Sequence, residues 1–177
     1  MDCIFCKIVS GEIKAKIISE SKKSLAFLDA FPLAKGHTLI IPKNHHLKIQ
    51  DMSGDENTDL FSLVHTLVPK IDSISGSTLV SVHNGKEAGQ EIPHVHVHLI
   101  PRTNFDGAGA VHTMFKHRPK LSEKEFDEIA EGNLSWQKML KEFYKPFHKT
   151  IENTTDNSER ASGERSLGKD PVSGKPV

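Results

Sequence analysis

The stretch His94-Val95-His96-Val97-His98, running into Leu99-Ile100-Pro101, carries an imidazole at every second residue with valine between. In a β-strand successive side chains face opposite ways, so the three histidines share one face. Neighbours on that face stand about 6.6–6.8 Å apart, two strand rises. Val95, Val97 and Leu99 then form the opposite, core-facing side. A row of imidazoles adds little to stability, which leaves three readings open. One is a zinc site completed by ligands from elsewhere in the chain. A second is a polar strand face that happens to contain histidine. The third is nucleophilic catalysis, in which a neutral imidazole nitrogen attacks phosphorus and water cleaves the resulting phosphoramidate. Flanking histidines then hold phosphate oxygens and assist the leaving group. The polar loop directly upstream, with Asn84, Gly89 and Gln90, favours a chemical reading over an idle polar face.

A second constellation is Cys3 and Cys6, the only cysteines in the chain. A disulfide across two intervening residues closes almost no chain, so metal binding or redox chemistry fits the pair better. By itself it is half of a tetrahedral zinc site.

The elements that must position these residues follow from periodicity. Ile4, Phe5, Ile8 and Val9 fall roughly on one face of a helix over 3–10, with Gly11 as its stop. Ile17-Ile18 and Leu25-Ala26-Phe27-Leu28 read as two short strands, and His37-Thr38-Leu39-Ile40-Ile41, closed by Pro42, as a buried one. From Asp55 to about Ile74 apolar residues recur at helical spacing, with Pro69 expected to kink the helix or end its first part. Thr78 to His83 alternates as a strand, and Asn84-Gly85 opens the polar loop. Ser122-x-x-Glu125 has the form of a capping box opening a helix through Phe126, Ile129 and Ala130. A second helix is expected over 135–144, and a disordered polar tail beyond about 150. Strands, a long helix and further strands predict an α+β layer structure. The expected organisation is a catalytic domain over 1–102, a loop and helical extension over 103–148, and the tail over 149–177.

With 177 residues the chain is long enough to bury a real core. Its 23 basic and 23 acidic residues cancel, which argues against a broad electrostatic grip on nucleic acid. No apolar run reaches membrane-spanning length and Met1-Asp2-Cys3 does not open a signal peptide, so the expected location is a reducing cytoplasm.

Three ordered segments together resemble the histidine-triad (HIT) superfamily. They are Leu25-Ala26-Phe27-Leu28-Asp29-Ala30-Phe31-Pro32, Gly36-His37-Thr38-Leu39-Ile40-Ile41-Pro42-Lys43-Asn44-His45, and the run from Ala88 through Gly89-Gln90-Glu91 to Arg102. The resemblance implies a HIT-like fold, an antiparallel sheet with a long helix packed on it, and a two-fold homodimer. It makes His96 the nucleophile toward the α-phosphorus of a nucleotide, most simply an adenine nucleotide. His98 and His37 contact the phosphate and leaving group, Gln90 and Asn84 bind phosphate oxygens and orient the site, and Gly89 and Glu91 are further substrate-binding positions. Asp29 accepts from the ribose hydroxyls. Ile4, Phe5, Phe27 and Leu39 line the base pocket, although an apolar residue in such a pattern equally suits the core.

A subgroup with the Cys-x-x-Cys pair implies structural zinc on Cys3, Cys6, His45 and His94, with His46 as the alternative to His45. A substrate-associated magnesium ion is compatible with this scheme. The chain departs from the family at Glu91, where a small hydroxyl residue is common; a carboxylate there repels a polyphosphate leaving group unless it points outward. Dinucleoside polyphosphates, such as a diadenosine polyphosphate, are the first expected substrates, because Leu-Ile-Pro-Arg resembles the polyphosphate-hydrolase branch. The alternatives are a nucleoside phosphoramidate hydrolase releasing AMP and a non-catalytic AMP-binding regulatory module.

Overall fold

The computed structural model describes residues 2–104, 106–114 and 120–131. Five antiparallel strands form one sheet: β1 (Ile17–Glu20), β2 (Ser24–Leu28), β3 (Thr38–Pro42), β4 (Ser77–Val82) and β5 (Val97–Arg102), in the spatial order β1-β2-β3-β5-β4. Two helices complete this unit, α1 (Ile4–Val9) and α2 (Gly54–Ser75).

Strict alternation sorts the strands into two apolar layers. Ala26, Ile40, Val97 and Leu99 face one side and pack with Leu60, Leu63, Val64 and Leu67 of α2. Leu25, Phe27, Leu39 and Ile41 face the other, against Cys3 and Phe5 at the start of the chain. Because β2, β3 and β5 lie inside the sheet with both faces covered, their sequences read as apolar runs broken only where chemistry intervenes.

Helix α2 starts from a complete capping box. Ser53 Oγ accepts from the Glu56 amide, and the Glu56 carboxylate accepts from the Ser53 amide. It ends at Gly76, whose φ of 88° is the left-handed conformation that closes helices. Of the two expected effects of Pro69, an end to the helix does not occur, since α2 runs on to Ser75. Pro69 and His65 both lie on the exposed side, where water can satisfy the carbonyl that proline deprives of a partner.

The histidine strand also needs correction. Ladder pairing begins only at Val97, so His94, Val95 and His96 precede β5. The Val95 amide donates instead to the His46 carbonyl, at 2.8 Å. Alternation survives in this extended lead-in, since Val95 joins the α2-facing core with Val97 and Leu99. Ile4 departs from its helix-mates as well: it is exposed, whereas Phe5 is buried and Ile8 and Val9 pack partly against the core.

Residues from Gly109 onward belong to a second unit. Its described part contains a 3-10 turn at Val111–Met114 and α3 (Glu123–Ala130), which starts from the expected box between Ser122 and Glu125. The helix expected over 135–144 and the polar tail lie outside the described residues.

Candidate active site and metal centre

Cross-strand register builds one row on the sheet face opposite α2. Phe27 pairs with Leu39, Leu39 with His98, and His98 with Ser81. His37 sits just before β3 and Asp29 just after β2, held together by a hydrogen bond from the Asp29 amide to the His37 carbonyl at 2.9 Å. A residue from each of three neighbouring chain segments therefore meets at one end of the row.

His94 and His96 extend that face. The His96 Nδ1–H donates to the carbonyl oxygen of His94 at 2.7 Å. A carbonyl can only accept, so the proton sits on Nδ1 and the Nε2 lone pair is free to act as a nucleophile. Burial pushes the imidazole below its ordinary range, which keeps it neutral at pH 7. Phe5 packs edge-on against His96 with ring centroids 5.4 Å apart.

His98 stands beside His96, centroids 4.9 Å apart, and its Nδ1 lies 3.0 Å from Nε2 of His37. His37 Nδ1 in turn lies 3.3 Å from Asp29 Oδ2 and 3.3 Å from the Leu33 amide nitrogen. With a proton on Nδ1, His37 donates to Asp29; without one, it accepts from Leu33. Both tautomers are thus supported. In the second, His37 Nε2–H donates to His98, and the His98 proton moves to Nε2, a buried atom with no protein partner among the described residues. Burial and the neighbouring imidazoles of His96, His37 and His83 push His98 down to about 4. The arrangement can attack an electrophile at His96 and deliver a proton from His98.

Gln90 and Asn84 are engaged with the protein itself. Gln90 Nε2 donates to the carbonyls of Leu47 at 2.9 Å and His94 at 3.3 Å, while its Oε1 accepts from the Gly85 amide at 2.8 Å. Asn84 Oδ1 accepts from the Ile49 amide, and its Nδ2 donates to Gln50. Phe5, Phe27 and Leu39 share one buried cluster, with Ile4 outside it. Gly89 and Glu91 line a cavity of about 550 Å³ together with Lys86, Gln90 and Pro93.

The two cysteines meet His45 and His94. Cys3 Sγ and Cys6 Sγ lie 3.5 and 3.7 Å from His94 Nδ1. Cys6 Sγ is 3.4 Å from His45 Nδ1, and the two Nδ1 atoms are 3.3 Å apart. A tetrahedral ion with metal–nitrogen bonds of about 2.0–2.1 Å and metal–sulfur bonds of about 2.3 Å requires N···N near ~3.3 Å and S···N near ~3.5 Å. The donor atoms already have that spacing. His94 Nε2–H donates to the Pro42 carbonyl at 2.9 Å, which directs the Nδ1 lone pair into the cluster, as metal-binding histidines require. His46 points elsewhere: its Nε2 lies 3.0 Å from the Glu56 carboxylate.

Two residues carry more than the sequence reading assigned them. His83 lies with its ring centroid 5.3 Å from that of His98. It shares strand parity with Ser81, the cross-strand partner of His98, a signal that becomes readable only once register is known. Glu56 joins the helix cap to Asn44 and His46, with Asn44 Nδ2 donating to it at 2.7 Å. Its signal was the Ser53-x-x-Glu56 box.

Comparison with known proteins agrees with this geometry. Residues 10–105 match the HIT domain family. The chain is 37% identical over 140 residues to the adenosine 5'-monophosphoramidase HNT1 of Candida albicans, covering 73% of this chain and 92% of that one. A crystal structure of a HIT family member from Bacillus subtilis superposes with a TM-score of 0.67 at 32% identity, covering 75% of this chain and 94% of the other. A Zn-bound histidine triad family protein from Mycobacterium smegmatis gives a TM-score of 0.55 at 32% identity, covering 60% and 79%. No described helix is long and apolar enough to cross a membrane. With its ordered motifs, antiparallel sheet and clustered imidazoles, this chain belongs to the HIT domain family.

Proposed function

We propose that the protein hydrolyses nucleoside 5'-phosphoramidates, with an adenine nucleotide as the natural first substrate, through a nucleotidyl intermediate on His96. The single observation that carries this reading is the 2.7 Å bond from His96 Nδ1 to the His94 carbonyl, which leaves Nε2 as the attacking atom. Nε2 forms a bond to the α-phosphorus while the bond from phosphorus to the leaving amine breaks. With His37 entering doubly protonated against Asp29, His98 Nε2–H passes to the departing nitrogen as His37 Nε2–H passes to His98 Nδ1. In the second step water attacks phosphorus and returns a proton to His98 Nε2, which resets the pair; the bond to His96 breaks, and a nucleoside monophosphate leaves. Asp29 is the ribose acceptor in this scheme, and Phe5, Phe27, Leu39 and Ile4 are the base-side residues. Gln90 and Asn84 shape the phosphate site by holding the loops around it.

This order reverses the expectation of a dinucleoside polyphosphate as the first substrate. The relative in Candida albicans is named a monophosphoramidase. Glu91 also lines the cavity it shares with Lys86, Gly89, Gln90 and Pro93, and a carboxylate on this loop opposes a polyanionic leaving group. Zinc on Cys3, Cys6, His45 and His94 belongs to the proposal as a structural ion, closing a site with four protein ligands and no open position. A two-fold dimer and a cytoplasmic location are part of the same reading, supported by family membership.

The test is turnover of adenosine 5'-phosphoramidate and of diadenosine polyphosphate by wild type and His96→Asn, with intact mass after brief exposure. Release of AMP from the phosphoramidate, with an adenylyl adduct mapped to His96, is expected. A wild type that binds AMP but turns over neither compound and never becomes adenylylated overturns the reading in favour of a regulatory module.

A further inference from the structure

The segment that carries both cysteines also carries an aromatic ring that packs on the nucleophile. Phe5 stands between Cys3 and Cys6 and is buried, with its ring centroid 5.4 Å from that of His96, 5.8 Å from His94 and 5.7 Å from Phe27. Among the described residues, the backbone hydrogen bonds of residues 3–11 run within the segment or to Ile13, and none reaches the sheet. Side chains make the attachment instead. Cys3 and Phe5 enter the cluster with Leu25, Phe27, Leu39 and Ile41, and both thiols face His94. Cys6 also meets His45. Closure of the thiol–imidazole cluster therefore decides how firmly Phe5 is held on His96.

Resting on the nucleotide reading of the triad site, we infer that Cys3 and Cys6 form a redox modification site whose oxidation by a hydroperoxide releases Phe5 from the nucleophile. Cys6 is the partly exposed thiol and Cys3 the buried one, and their sulfur atoms lie within 4.8 Å of each other. The Cys6 sulfur attacks a peroxide oxygen, the O–O bond breaks, and the departing oxygen takes a proton and leaves as water or alcohol. The Cys3 sulfur then attacks the Cys6 sulfenic acid, the S–O bond breaks, and a water leaves with a second proton. Two thiolates give up two electrons to one peroxide and become one disulfide. Only His45 and His94 then remain to hold a metal, since thiolate is the ligating form of cysteine. The new bond also contracts the turn. Cβ atoms three residues apart on a helix stand about 5–6 Å apart, and a disulfide draws them to about 3.5–4.5 Å. Phe5 lies inside that contracted turn and loses its seat on His96.

The experiment treats the full chain, loaded with zinc, with one equivalent of hydrogen peroxide. Zinc release is read with a chromogenic chelator, the Cys3–Cys6 bond by peptide mapping, and AMP affinity by calorimetry. The expected result is one disulfide formed and one zinc released per chain, with AMP binding weakened by about tenfold, the scale of a lost aromatic contact. Dithiothreitol and zinc should restore it. Phe5→Ala should bind AMP more weakly when reduced and respond little to peroxide. A chain that takes up no zinc, oxidation without zinc release, or unchanged AMP affinity after the disulfide forms overturns the inference. So does an equal loss of affinity on oxidation in wild type and Phe5→Ala, which would mark general loosening of the fold. Turnover of adenosine 5'-phosphoramidate by the reduced chain is followed separately. Its absence, with the peroxide response of AMP binding intact, removes the phosphoramidate reading and supports the redox site.

Discussion

The carbonyl oxygen of His94 accepts hydrogen bonds from both His96 Nδ1, at 2.7 Å, and Gln90 Nε2, at 3.3 Å. One backbone atom thus links the metal-cluster histidine, the nucleophile's tautomer and the polar loop.

Replacing Gln90 tests that link. Gln90→Ala removes the donors to Leu47 and His94 and leaves the Gly85 amide without its acceptor. We expect a loss of about 1–3 kcal/mol in stability. A fall in kcat larger than the rise in KM is expected too, because the change misplaces His96 more than it weakens nucleotide contacts. Urea unfolding together with steady-state kinetics on adenosine 5'-phosphoramidate checks both; an unaltered kcat removes the positioning role.

Metal removal has a directional outcome. Cys3→Ser or His45→Ala leaves three of four ligands, and elemental analysis should show less than one bound zinc per chain. Because Cys3, His45 and His94 tie the N-terminal segment to the sheet, thermal stability should fall as well, by about 4–8 °C for each kcal/mol lost in a domain of this size. His46→Ala should retain the metal, since that side chain faces Glu56 rather than the cluster.

The pH dependence follows from His98, pushed down to about 4 mainly by burial. An imidazole whose folded value lies below its unfolded value of about 6.5 binds fewer protons when folded. Stability is therefore fully present above about pH 6.5 and declines progressively as pH falls toward about 4. His37, lowered by burial against the opposing charge of Asp29, adds to the same trend. The acid limb of kcat/KM should lie below the ordinary imidazole range. Replacing His98 with Asn should flatten the stability profile between those values, measured by thermal melts across pH.

Glu56 has the opposite charge type and the same sign of pH dependence. Its carboxylate is held well below the usual range, first by His46 and then by the Ser53 amide, Asn44 and the Ser53 hydroxyl. Its contribution is complete above the unfolded value of about 4.3 and is lost as pH falls below it. Glu56→Ala is expected to cost about 1–2 kcal/mol through the cap of α2 alone. It also frees Asn44 and His46, next to the metal ligand His45. A stability loss well below that range at pH 7 contradicts the role.

The layer structure was legible because alternation is local. Leu25 to Leu28, Thr38 to Ile41 and Val95 to Leu99 each state which side chain faces which layer, and the apolar stripe from Leu60 to Leu67 states what covers them. The ordered motifs likewise carry His37, His45, His96 and His98, and the Cys-x-x-Cys spacing carries Cys3 and Cys6; the fold gathers them into two clusters. Local pattern could not say that Pro69 would remain inside one helix, since exposure of His65 and Pro69 depends on where α2 packs. Nor could it say where pairing of β5 begins, because the His46 carbonyl that claims the Val95 amide comes from a segment far away in sequence.

Residue chemistry and period, both carried by the chain itself, determined the fold class and the identity of the imidazoles and thiols. Register, tautomer and partner choice were decided by the tertiary structure. The row of three equivalent histidines became three distinct groups only when Pro42, the His94 carbonyl and His37 each took one ring nitrogen. Hydrogen bonding is directional, and its partners here lie up to 61 residues apart in sequence, so only the folded chain could assign them.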